Sequence, residues 1–359
     1  MSTSIGQYGN AGAALILAAG IKEMTLSQQT LSWQQSTNTL SPTYAGLGST
    51  RSSAISLAPK ITQVETWQSN VSIAQNGLSV TASALQQLVT QAQALSASLV
   101  TIGGTTMSTT VTAATSQARN ALTALATTLN TSNGVGYVFA GQASTEPPIK
   151  DPTSISSGTL ATTIAGIVGS LGSSEDPASV MAKATTAAAD NTDSVSVFSA
   201  SLSVSGDAAT ALQQSVLTGD NTATGIGTVA TQGTSATSNS TGSPIRDLMR
   251  DMMVVSSMNG MSSSTNGFSD LVNQLHSSLE NTISQLTDME TSVGVTQNAL
   301  TSRSTLLSNM ETMLKTALGN SRDADIAEVA TQSSNLSTSL KASYILVADM
   351  KDMTLASYI

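Results

Sequence analysis

His276 is the single histidine of the chain, and so the one side chain whose ordinary pKa suits a general base near neutrality. A serine nucleophile would need that base, held in turn by a carboxylate. His276 lies one residue past Leu275, off the apolar stripe of a helix-like segment, where a solvated helix residue belongs. Without cysteine there is no thiolate nucleophile, disulfide or thiolate metal site. Glycine-rich phosphate loops and paired histidines at metal-binding spacing are also missing from the sequence. The densest acidic group, Asp323, Asp325 and Glu328, could face a hard cation. It fits better as the first turn of a helix, where carboxylates meet the positive end of the helix dipole. The expectation is a chain with no catalytic residue, no cofactor and no metal. Asn-x-Ser/Thr triplets at Asn70, Asn130 and Asn239 are the chance yield of a chain that is about 30% serine and threonine.

The composition points the same way. Charged residues make up 10% of the 359, with 13 basic against 22 acidic, so no electropositive surface exists to neutralise a nucleic-acid backbone. Hydrophobic residues reach 40% with only 3% aromatic; small apolar groups of this kind suit helix seams better than a thick globular centre. The longest apolar run, Ala11 to Ile21, falls short of the roughly 20 residues that span a bilayer, so no membrane insertion is expected. Met1 to Asn10 carry no Lys or Arg, unlike the start of a cleaved signal.

Elements able to hold a long seam lie between the prolines, all seven of which fall outside 60–146 and 245–359. Within the first window, Val64, Trp67, Val71, Leu78, Leu85 and Leu88 keep a heptad frame. Gly103 and Gly104 interrupt it, and a second frame from Val111 to Leu129 should fold back as a hairpin. The last third repeats the pattern through Leu286, Val293, Leu300, Leu307 and Leu314. After a slip across Gly319 to Asp325 the frame resumes at Ile326, Val329, Leu336, Leu340, Val347 and Met350. These seventeen positions form the candidate assembly seam. Flanking positions hold Gln, Ser, Thr and Asn rather than Glu and Lys, which allows identical copies to pack without like-charge repulsion.

Between Glu146 and Pro244 the chain turns to Ser, Thr, Gly and Ala. Val195 to Val204 and Ala161 to Val168 read as strands, Ala178 to Ala189 as a short helix, and Gly219 to Ser243 as loop. The fold class expected is mainly α, with coiled-coil-like helical rods from both chain ends and a small β-containing central domain. Its divisions are an N-terminal segment (1–45), a helical rod and hairpin (46–146), a variable central domain (147–244), a C-terminal rod (245–319) and a terminal helix (320–359). The central residues 153–243 are expected to be removable.

Four ordered stretches carry a resemblance. Ser41-Pro-Thr-Tyr-Ala-Gly-Leu-Gly-Ser-Thr-Arg51 resembles the N-terminal region of bacterial flagellins and flagellar hook-associated protein 3. Gly134-Val-Gly-Tyr-Val-Phe-Ala-Gly141 is similar to the family's glycine-bounded aromatic segment, and Asp323-Ala-Asp-Ile-Ala-Glu-Val329 to its entry into the terminal helix. The ending Leu355-Ala-Ser-Tyr-Ile359 looks like its C-terminus. Ala11 to Gly20 departs from it, being more apolar and interrupted by glycine.

The resemblance implies a structural, non-enzymatic subunit of the bacterial flagellum, either filament flagellin or hook-filament junction protein. Such a subunit leaves through the flagellar type III export apparatus with an export chaperone and self-assembles outside the cell with itself and homologous subunits, for swimming motility. Its N- and C-terminal helices, polymerisation segments at 1–45 and 320–359, would pair in the inner layers of the tube, with the central domain 147–244 facing outward. The competing reading is another secreted coiled-coil assembly protein, such as a phage tail or injectisome tip component.

Overall fold

The heptad seams fold as long helices in the computed structural model, which describes residues 5–352. Helix α1 (Ile5–Thr37) is followed by a 3-10 turn (Tyr44–Thr50), α2 (Arg51–Ile102) and α3 (Ser108–Leu129). Then come α4 (Thr159–Gly169), α5 (Pro177–Ala188), α6 (Gly206–Thr210), strands β1 (Gln214–Gly219) and β2 (Thr222–Ile226), α7 (Pro244–Ser256), α8 (Phe268–Arg322) and α9 (Ile326–Asp352). The described residues divide into two compact units, 5–65 with 308–352, and Thr66–Leu307, the division falling within α2 and α8.

In the second unit the apolar stripes meet one another. Ser98 Oγ on α2 donates to Gln117 Oε1 on α3 at 2.9 Å, and Thr128 Oγ1 to Gln87 Oε1 at 3.4 Å, the pairing of an antiparallel hairpin turned at Gly103 and Gly104. Gln75 Nε2 reaches Thr301 Oγ1, and Ser269 Oγ reaches the Gly103 carbonyl, so α8 runs antiparallel to α2 here. Leu78, Leu85, Leu88, Leu122, Leu286 and Leu300 are almost fully buried, each stabilising the seam by about 1.5–3 kcal/mol.

Four expectations from the sequence need correction. Helix α2 starts at Arg51 and carries Pro59 within it. Pro59 removes one helical hydrogen bond, and it sits on an exposed face near exposed Ile55, where water can take up the freed carbonyl. Ala161 to Val168 lies in helix α4, because Leu160, Ala161, Ile164 and Val168 are buried at helical spacing. Val195 to Val204 forms turns, with a single bridge pairing Phe198 to Ile149. Gly219 to Ser243 is not loop throughout, since β2 pairs with β1 across Asp220 and Asn221. Asn221 supplies the positive φ of 53° that the tight turn requires. The short helix expected at 178–189 is α5, with Asp176 as its N-cap.

The hairpin is held by both long helices. Asn70 Nδ2 on α2 donates to the Leu217 carbonyl, and Arg303 Nε on α8 to the Thr218 carbonyl. Gly141 makes the preceding crossing possible: its φ is 58°, and a Cβ there would stand 2.5 Å from the Leu212 carbonyl oxygen. Gly141→Ala is therefore expected to lose at least the 1–2 kcal/mol or so of a left-handed alanine, visible as a lower unfolding midpoint of the full chain. An unchanged midpoint would mean the carbonyl moves aside freely.

Every residue of α7 is buried, including Arg246, Asp247, Arg250 and Asp251. α3, α4 and α5 all pack on it. Arg250 Nη1 pairs with Asp247 Oδ1 at 3.1 Å and Nη2 with Asp251 Oδ1 at 2.8 Å. Burial pushes the Asp251 carboxyl up to about 6, with Arg250 and Ser278 pulling against that rise. Burial also draws Arg246 down to about 10; its guanidinium stacks 5.1 Å from the Phe198 ring centre and donates to Asn191 and the Val204 carbonyl. Removing one partner of a buried pair strands the other, at about 3–5 kcal/mol. Arg250→Met should lower the urea midpoint accordingly, and adding Asp247→Leu and Asp251→Leu should restore much of it. A single variant as stable as the parent would show that the carboxylates find other partners.

Candidate assembly surface

The first unit is built where the two ends of the chain meet. α1 packs along α9, with Gln28 Nε2 donating to Ser333 Oγ at 2.8 Å. α1 stops at Asn38, whose φ of 59° is left-handed, a conformation Asn tolerates better than most residues. The chain then pairs with the α8–α9 junction: Leu40 N donates to the Arg322 carbonyl at 2.8 Å, and Ala324 N to the Asn38 carbonyl at 3.2 Å. Asp325 caps α9, accepting from the Ala327 and Glu328 amides. The acidic stretch is therefore a helix start, and among the described residues no group of His, Asp or Glu could hold a metal.

The Tyr-Ala-Gly-Leu-Gly stretch becomes the 3-10 turn that redirects the chain into α2. Gly48 takes φ 58° there and Leu47 is buried. Thr50 Oγ1 donates to the Ser321 carbonyl at 2.7 Å, tying the start of α2 to the end of α8.

Candidate seam positions fall into two groups. Val64, Val71, Leu78, Leu85, Leu88, Leu286, Val293, Leu300 and Leu307 are buried within the single chain, and Trp67 and Leu314 are half-buried. On α9, Val329 is buried, Leu336 and Leu340 are half-buried, and Ile326 and Val347 are exposed. The Met350 side chain lies outside the described residues. Heptad position does not mark all of the apolar surface left uncovered on this unit: off the frame, Leu15 and Ile16 on α1 are 73% and 76% exposed, and Ile345 and Leu346 on α9 are 62% and 52% exposed. Their neighbour Tyr344 is exposed as well. Hydrophobicity alone could have flagged these residues, but not which of them the chain covers itself. His276 is partly exposed, its Nδ1 3.8 Å from Glu280 one turn along the same helix.

Residues 277–359 match the family described as the bacterial flagellin C-terminal helical region. No curated protein matches the chain. The flagellin match starts within α8 and takes in all of α9, so it contains the α8–α9 junction, the Asp325 cap and the exposed apolar run of α9. The apolar side chains left open on α9, Ile345 and Leu346 among them, lie within the matched stretch. No helix among the described residues is long and apolar enough to cross a membrane.

Proposed function

We propose that the chain is a filament-forming subunit of the bacterial flagellum that polymerises through the α1–α9 pair and serves swimming motility. The observation carrying this reading is the exposed apolar surface of α1 and α9, in contrast to the buried stripes of α2, α3 and α8 in the second unit. Contiguous apolar exposure marks a surface awaiting a partner, and the few charges on these two helices oppose no close approach of like copies. The seam positions Ile326, Leu336, Leu340 and Val347 then face neighbouring subunits. Export through the flagellar type III apparatus with a chaperone, and an extracellular location in the filament, belong to the same proposal.

The filament role is taken as the working assignment from the description of the matched family, and the copy number separates it from the hook-filament junction role. Quantifying copies per flagellum by mass spectrometry of sheared and basal fractions tests this. Thousands of copies are expected; a ring's worth, retained with the hook, would assign the chain to the junction. Filaments persisting in a deletion strain would remove it from both roles.

A further inference from the structure

Arg250 holds three walls of a groove in register. Its Nη1 donates to Thr185 Oγ1 on α5 at 2.9 Å and to the Asn239 carbonyl at 3.1 Å, while Nη2 donates to Ser278 Oγ on α8 at 2.6 Å. α5, the loop at 239–240 and α8 enclose a groove of about 760 Å3 within the second unit, inside the range of about 300–1,000 Å3 usual for small-molecule sites. α8 lines it with Asn273, Gln274, Ser277, Asn281, Ser284 and Gln285. None of these six side chains hydrogen-bonds to another described residue. Further along α8, by contrast, Thr287, Thr291 and Thr296 each donate to the backbone one turn earlier.

The lining selects by chemistry. Its one charged group, Asp247, already accepts from Arg250, from Ser240 Oγ at 2.5 Å and from the Thr241 amide at 2.8 Å, so no free charge awaits an ion. Amides and hydroxyls offer donors and acceptors together, which excludes a purely apolar guest. An extended peptide read through its backbone would need a sheet edge, and no strand borders the groove. Ala178 on α5 adds an exposed apolar methyl to this lining, with Met181 buried behind it.

We propose that this groove binds a neutral oligosaccharide, the side chains of Gln274, Asn281 and Gln285 pairing with ring hydroxyls and the exposed Ala178 methyl meeting the C–H face of a sugar. From Gln274 to Gln285 the helix advances about 16 Å, longer than a single ring, so two or more sugars are engaged. The test titrates the full-length monomer with maltotriose, cellotriose and the N-acetylglucosamine trimer, by calorimetry and ligand-observed NMR, beside the Asn281→Ala/Gln285→Ala variant. At least one trisaccharide should bind with a millimolar Kd, and the variant should bind it at least tenfold more weakly with an unchanged thermal midpoint, since both side chains are exposed. No binding by the parent, equal binding by the variant, or displacement of the sugar by the neutral peptide Ser-Gly-Ser-Gly at lower concentration would overturn the proposal.

Discussion

Preparations of Ile345→Asp are expected to contain folded monomer and no filaments. Ile345 is 62% exposed on α9, so the monomer loses almost no packing and its circular dichroism and thermal midpoint should match the parent's. In a polymer the same position would be pressed against a neighbouring subunit, where an unpaired carboxylate costs several kcal/mol to desolvate. Because each 1.4 kcal/mol or so is tenfold in an equilibrium, the critical concentration should rise by about 100-fold or more. Sedimentation and negative-stain microscopy of seeded monomer give the readout, with Ile345→Leu as the variant expected to polymerise normally. Normal filaments from the aspartate variant would place α9's outer face away from every subunit contact.

Replacing 153–243 by a short Gly-Ser linker is expected to destroy the second unit's cooperative fold, the reverse of what the segment's loop-like composition suggests. The replaced stretch contains α4 and α5, which cover α7, and the β1–β2 hairpin held by Asn70 and Arg303. It also contains Thr185, Asn191, Val204 and Asn239, which accept hydrogen bonds from Arg246 and Arg250. Met249, Met252 and Met253, fully buried in the intact chain, would lose part of their cover, at up to about 1.5–3 kcal/mol for each side chain laid open. Domains carry only about 5–15 kcal/mol of net stability. Urea titration of the purified shortened protein, followed through Trp67, should lose its sigmoidal transition. A transition at the parent's midpoint would show the helices sufficient without the segment.

The long helices were legible because leucines at spacings of three and four leave one face to bury, whatever the partner. Asp325 was legible as a helix start for an equally local reason, its carboxylate capping the amides just ahead of it. α4 was not, since an eight-residue apolar run rich in Thr, Ile and Val satisfies a strand as readily as a helix. α7 escaped notice for the opposite reason: four charges in Arg246-Asp-Leu-Met-Arg-Asp251 suggest a solvated face, and only the folded chain brings the acceptors that let them be buried. The surface proposed for assembly was legible as apolar residues, but its exposure depends on what α1 and α9 leave uncovered after pairing.

The junction that joins Thr50 to Ser321 links residues 271 positions apart, and this sets an order of events during synthesis. α1 has no partner while the ribosome is still making the middle of the chain; at about 5–20 residues per second the wait lasts tens of seconds. Thr66–Leu307 is contiguous and can close first, shortening the effective loop between the two chain segments of the first unit and lowering the entropy cost of the final step. Until then α1 must be shielded or remain unstructured, so a nascent chain stalled before residue 321 is the form in which Leu15 and Ile16 are most open to capture or premature aggregation.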